Sequence, residues 1–203
     1  MTDSPTTYHH GNLREEILRV SVDILQEEGV GAITMRSIAE RIGVSHSAAY
    51  RHFKGKDALL SAIAQQGYEQ LTARLYAVYN SSELPIGETF RQMGVTYITY
   101  AIENPAQYRL MYGSDAVDRR SDPALATAAR KLARAVLEMI NLCQQRGSLK
   151  SENTRELSHA VWSLSHGAAM LVIDGHIRVS DTAAFADQMT AYLGGGISTV
   201  EEH

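Results

Sequence analysis

The sequence predicts an all-α protein in two parts, residues 1–56 and residues 57–203. Three observations carry the prediction. Apolar residues recur three and four apart in segment after segment, and no stretch alternates with the period of a strand. Good capping residues precede these segments, as at Thr34, Ser45 and Asp122, and glycines follow them, as at Gly29, Gly43, Gly113 and Gly147. Cys143 is the only cysteine, so no disulfide framework substitutes for a core, and 44% apolar with 21% charged residues is a globular composition.

Residues 1–10 are polar and contain Pro5, and Tyr8-His9-His10-Gly11 leads into a first helix from Asn12 to Glu28. Ile17, Val20, Ile24 and Leu25 give that helix one apolar face, and Gly29 ends it. His9 and His10 either reach a phosphate or are merely solvated. Thr34 caps a short helix with Met35, Ile38, Ala39 and Ile42 on one face, closed by Gly43. Val44 plugs the angle, and Ser45 caps His46 to Phe53, on which Ala49 and Phe53 face inward. Phe53 to Lys56 forms a turn, after which Asp57 opens a long helix to about Asn80.

Asn80-Ser81-Ser82 breaks that helix, and Pro85 suits the first turn of the next, Ile86 to Glu103. Pro105 to Tyr112 is a short helix, 115–121 an exposed loop, and Asp122-Pro123 opens a helix to about Arg146. A further helix, about Ser151 to Asp174, is apolar nearly all round in its second half, so that half is expected to be covered on more than one side. Gly167, Ala168 and Ala169 there leave room for another helix. Asp181-Thr182 caps a last helix to about Leu193, and Gly194-Gly195-Gly196 is expected to dissolve into a polar tail.

Two short helices joined by a tight turn make a helix-turn-helix pattern. Sixteen consecutive residues across it, Arg41 to Lys56, contain no Asp or Glu but do contain Arg41, Arg51, Lys54 and Lys56. The second helix carries small and polar side chains that suit entry into a groove about 12 Å wide. The net charge of −4 is not an objection, because residues 1–56 balance at zero and the acidic excess lies in residues 57–203. Local charge is what meets phosphates.

Thr34, Ile38-Ala39, Gly43-Val44-Ser45, Tyr50, His52-Phe53, Lys56 and Leu59-Leu60, in register over about fifty residues from Leu13, resemble the N-terminal signature of the tetracycline-repressor (TetR) family. Trp162-Ser-Leu-Ser-His166-Gly167, with Asn104-Pro105-Ala-Gln-Tyr108-Arg109-Leu110-Met111, is similar to a subgroup named for its Trp-His-Gly motif. The resemblance implies a DNA-binding unit, residues 1–56, and a helical unit for effector binding and dimerisation, residues 57–203. It further implies that Arg36, Ser45, His46, Ser47, Tyr50 and Arg51 meet bases or backbone, and that Thr34, His52 and Lys56 meet backbone. Physically, His46 and Ser47 begin the recognition helix and are best placed for base edges. Arg36 has the reach for guanine, and Tyr50 and Lys56 can bond phosphate oxygens. The plain alternatives are that Tyr50 packs on the first helix and Arg51 is solvated.

A single helix-turn-helix makes few contacts, so a homodimer is expected, with its two motifs about 34 Å apart on a palindromic operator. The last two helices, roughly 152–174 and 182–193, are the expected interface, a four-helix bundle with their symmetry mates. Met93, Tyr97, Tyr100, Tyr108, Met111, Trp162, His166 and Met170 lie on apolar faces and either line a small-molecule cavity or form ordinary core. Trp162 and His166, four apart, are expected as a buried pair with a hydrogen-bonded imidazole. His159, His166 and His176 offer no ligand quartet, so neither metal nor cofactor is expected. No nucleophile elbow, phosphate loop or dinucleotide fingerprint appears, which disfavours an enzyme. With no apolar run long enough to span a bilayer and no signal peptide, a soluble cytoplasmic regulator is expected, a repressor released by an effector. The alternatives are a ligand-independent regulator or an activator.

Overall fold

In a computed structural model, residues 13–81, 83–113, 117–118 and 121–197 are described. Among them the chain forms α1 (Leu13–Glu28), α2 (Met35–Ile42), α3 (His46–His52), α4 (Lys56–Ser81), α5 (Ile86–Glu103), α6 (Pro105–Tyr112), α7 (Pro123–Gln145), α8 (Thr154–Ile173) and α9 (Thr182–Ile197). A single 3-10 turn, Val30–Ala32, follows α1. Asn12, the His9-His10 arm, most of the expected 115–121 loop and the tail after Ile197 lie outside the described residues.

The caps fall where the sequence places them. Thr34 and Ser37 form a reciprocal capping box on α2, with Ser37 N donating to Thr34 Oγ1 at 2.9 Å. Gly43 ends α2 at φ 78°, the left-handed conformation that lets the chain turn directly into α3. Asp122 Oδ1 accepts from the backbone N–H groups of Ala124 and Leu125 at the start of α7. α8 starts three residues later than expected, because Asn153 supplies the cap by accepting from Arg155 N and Glu156 N.

α1 packs on α2 and α3, and Ala49 and Phe53 of the α3 segment are buried against this small core. α4 packs against α1 and also against α5, α6 and α7, so one rod belongs to both halves of the chain. At 26 residues it is about 39 Å long. α6 touches both α4 and α1. Gln107 of α6 donates to Ile63 O of α4 at 3.0 Å, and Tyr68 of α4 donates to Met111 O of α6 at 2.6 Å.

α5 lies close to α8 and α9. A Cβ on Gly94 would stand 2.6 Å from Thr190 Cγ2, so the α5–α9 approach depends on that glycine. The expected end of α9 at Leu193 is corrected: the helix continues through Gly194-Gly195-Gly196 to Ile197. Lys150 Nζ donates to Gly196 O at 2.9 Å and ties the last turn to a residue distant in sequence. No described helix is long and apolar enough to cross a membrane.

Candidate nucleic-acid interface and effector cleft

α3 presents a continuous polar surface. His46, Ser47, Tyr50, Arg51 and His52 are exposed, Ala48 is half-buried and Ala49 fully buried. Tyr50 is 55% exposed, which disposes of the alternative in which it packs on α1. Ser45 is occupied as a cap, accepting from Ala48 N at 3.3 Å, and its hydroxyl lies 3.1 Å from that of Ser47. Thr34 is likewise held in its capping box and is exposed. Lys56 donates to Val30 O at 2.7 Å, so the ammonium is anchored beside the α1–α2 connection with two further N–H donors to offer.

The electrostatics differ from what the acid-free stretch suggests. Arg41 of α2 is ion-paired with Glu27 at 2.6 Å and Glu28 at 3.5 Å, both from α1. Arg36 lies along its own helix against Glu40 at 2.7 Å. Both guanidinium groups have their pKa raised, first by the hydrogen bond to the carboxylate and then by its charge. A run without acids in sequence is therefore not an acid-free face. Reaching a base with Arg36 means exchanging Glu40 for it.

In the second half of the chain, five aromatic and imidazole groups from three helices form one hydrogen-bonded cluster. Trp162 Nε1 of α8 donates to Tyr97 Oη of α5 at 3.0 Å. Tyr97 Oη lies 2.8 Å from Tyr108 Oη and 3.1 Å from Tyr112 Oη, both on α6. Tyr108 Oη lies 2.7 Å from His166 Nδ1 of α8. An indole can only donate, so every proton finds a place if Tyr112 also donates to Tyr97, Tyr97 to Tyr108, and Tyr108 to a neutral imidazole. Burial lowers the pKa of His166 and raises those of Tyr97, Tyr108 and Tyr112 well above the phenol range, which favours this neutral arrangement.

The expected Trp162–His166 pair forms, with ring centroids 5.9 Å apart and the imidazole hydrogen-bonded to Tyr108 Oη; what is corrected is its burial, since Trp162 is 43% exposed and bonds Tyr97.

A cleft of about 490 Å³ opens beside this cluster, between α7 and α8. Tyr68, Tyr97, Tyr112, Leu132, Val136 and Trp162 make its apolar interior. A second, smaller apolar cavity of about 40 Å³ shares Tyr97, Val136 and Trp162 with it and adds Met93. Of the residues expected to line a cavity, Tyr97 and Trp162 line the cleft and Met93 the small cavity. Tyr108 and His166 stand behind the cleft wall as hydrogen-bond partners. Tyr100 and Met111 are core: the Tyr100 hydroxyl donates to Gly67 O at 3.1 Å, and burial pushes its pKa up to about 12. Met170 is half-buried and packs against the same core.

Sequence reasoning missed Tyr112, Arg130, Arg134, Arg155, Ser158 and His159, all of which line the cleft. The signal was present in the spacing, since Arg130 and Arg134 on α7 and Arg155 and His159 on α8 each repeat four apart, one helical face apiece.

Residues 17–63 match the bacterial regulatory proteins of the tetR family, and residues 90–193, just over half of the chain, match the tetracyclin repressor-like C-terminal domain. The class A tetracycline repressor protein of transposon 1721 from Escherichia coli is 47% identical over 49 residues, which is 24% of this chain and only 23% of the repressor. The nucleoid occlusion factor SlmA of Marinobacter nauticus is 26% identical over 167 residues, 81% of this chain and 82% of that protein. A solved structure of a protein of unknown function from Rhodococcus sp. RHA1 shares the fold with a TM-score of 0.84 at 24% identity, covering 96% of this chain and 100% of that one. With its short motif and its larger C-terminal half both matched in order, the chain belongs to the TetR family of bacterial regulatory proteins.

Proposed function

We propose that the protein is a cytoplasmic, DNA-binding transcriptional repressor that sits on a palindromic operator as a homodimer and is released by a small-molecule effector. The observation that carries the reading is α3 itself: all its exposed side chains, His46, Ser47, Tyr50, Arg51 and His52, are neutral polar or basic. His46 and Ser47 read base edges. Tyr50, Arg51, His52, Thr34 and Lys56 hold the sugar-phosphate backbone, and Ser45 and Arg36 complete the surface. The operative boundary falls at residues 56 and 57, where the reading unit meets the long rod.

Dimerisation through α8 and α9 is supported by large apolar side chains left facing out on these two helices, Leu164 at 58%, Leu171 at 44% and Tyr192 at 68% exposure. Trp162, His166 and Gly167 stand in the order of the Trp-His-Gly subgroup, to which we assign the chain. The cleft beside Tyr97 and Trp162 is the effector site, and α4 carries its state to the recognition helices. An effector needs about 5.5 kcal/mol of preference for one helix spacing to take the equilibrium from 1:99 to 99:1. The match to a nucleoid occlusion factor over most of its length favours a second reading, a DNA-binding role outside transcription.

The test is a gel-shift titration against the DNA upstream of the protein's own reading frame, repeated across salt concentrations. The logarithm of the affinity is expected to fall linearly with the logarithm of the salt concentration, and Tyr50→Ala and Arg51→Ala to weaken binding. A folded dimer that gives no shift at low salt refutes the repressor reading. A shift on unrelated DNA alone favours the second.

A further inference from the structure

The cleft between α7 and α8 has a chemical polarity that the effector reading leaves unused. Its interior is ring and aliphatic surface, because the Tyr97 and Tyr112 hydroxyls that reach it are spent on each other and on Tyr108 and Trp162. Its rim is basic. Arg130 and Arg134 come from α7, Arg155 and His159 from α8 opposite, all four are exposed, and no Asp or Glu lines the cleft among the described residues.

The rim charge is also largely uncommitted. Arg134 is paired with Glu138 at 2.7 Å. Arg130 reaches only Thr127 Oγ1, at 2.9 Å, and neither Arg130 nor Arg155 meets a carboxylate among the described residues. In a protein with an acidic excess over residues 57–203, a rim of three arginines and a histidine with one compensating acid is a local reversal of charge. A basic rim along an apolar trough selects an anion carried on an apolar body.

The geometry points to an amphipathic carboxylic acid as the effector class: its body lies on Tyr97, Tyr112 and Trp162, and its carboxylate lies at the α8 edge of the rim, where Arg155 and His159 stand four apart on one helical face. This rests on the reading of the cleft as the effector site and goes further by naming the ligand's charge and where it is met. The volume, about 490 Å³, is that of a site for a drug-sized molecule. The adjoining cavity of about 40 Å³ behind Tyr97 and Trp162 gives the end of an apolar body somewhere to go.

Trp162 is the only tryptophan in the chain and lines both the cleft and the small cavity beside it, so its fluorescence reports binding there. The test titrates the full-length dimer, without DNA, with two matched probe pairs, decanoate against decanamide and 2-naphthoate against 2-naphthamide, with decylamine as the cationic control. The acids are expected to bind about tenfold more tightly than their amides, the scale of one charge-assisted hydrogen bond, and decylamine more weakly than either. Arg155→Gln, alone and combined with His159→Gln, checked for unchanged melting, is expected to abolish the preference for the acid while leaving amide binding in place. Equal binding of acid and amide in both pairs, or no binding by any of the acids, overturns the proposal, as does a preference that survives both substitutions.

A gel shift with the better acid then separates the two levels. Acid-selective binding that leaves the DNA complex intact keeps the anion site and removes its role as the effector switch. DNA binding that fails altogether refutes the repressor reading without touching the fluorescence result.

Discussion

Replacing Tyr97 with Phe keeps the buried ring and deletes one oxygen, and the structure says what that oxygen does. It joins α5 to α6 twice, through Tyr108 and Tyr112, and to α8 through Trp162. On its loss Tyr108 still has His166 at 2.7 Å, and Trp162, partly exposed, recovers a water. Tyr112 is the group left with a hydroxyl and no acceptor. Three hydrogen bonds lost at about 1 kcal/mol each, one of them regained from water at Trp162, cost about 2–3 kcal/mol. For a chain of 203 residues that is a fall in melting temperature of about 5–10 °C. Urea titration at fixed protein concentration is the assay, since a dimer's stability depends on concentration, and the urea dependence should be unchanged. Tyr112→Phe serves as the control and should cost less, because Tyr97 would keep two of its three partners. A melting temperature within about 1 °C of the parent for Tyr97→Phe, or a larger loss for Tyr112→Phe, would refute the sharing of that oxygen.

Three further outcomes are expected. Gly94→Ala drives a methyl into Thr190, a stiff β-branched side chain pinned by its 2.6 Å bond to Ala186 O, and should destabilise by about 1–3 kcal/mol despite alanine's better helix propensity; melting unchanged or raised would contradict it. Gly43→Ala meets no neighbouring atom but must hold φ 78°, so the loss, about 1–2 kcal/mol in a urea titration, comes from the backbone alone, and Gly43→Asn should recover part of it. His166 has a folded pKa below its ordinary 6.5 because of burial, so the folded state binds fewer protons than the unfolded one. Its contribution to stability is complete above that value and is lost as pH falls through the window beneath it. Urea midpoints measured from about pH 7.5 to pH 5 should therefore fall less steeply for His166→Gln than for the parent, and parallel curves would exclude the assignment.

The helices were legible because their ends are written in side chains that act locally. Thr34, Ser45, Asp122 and Gly43 each satisfy or close a helix end using atoms within four residues, which a sequence displays directly. What escaped was set by contacts distant in sequence. Nothing near Gly194-Gly195-Gly196 announces that Lys150 will hold the last turn of α9. Nothing within the acid-free stretch announces that Glu27 and Glu28 will answer Arg41 from another helix. Tyr112 ends α6, where periodicity assigns no face, so its place in the cleft wall was invisible. Trp162 looked like core because tryptophan usually is, yet α8 is left partly uncovered along the side that carries it.

The same arrangement bears on how a cleft at one end of the molecule can act on α3 at the other. Tyr108, Met111 and Tyr112 are successive contacts of α6, and through them α6 is bonded to α4, α5 and α8. On its other side α6 touches α1, which packs on α2 and α3. The route from cleft wall to recognition helix therefore runs through one short helix as well as along the rod of α4. A body lying on the Tyr112 ring presses on α6 directly, whereas α4 meets the cleft through Tyr68 and is stiffened along its length by α5 and α7. α6 therefore joins the Tyr112 side of the cleft wall both to α4 and to α1, the helix that packs on α2 and α3.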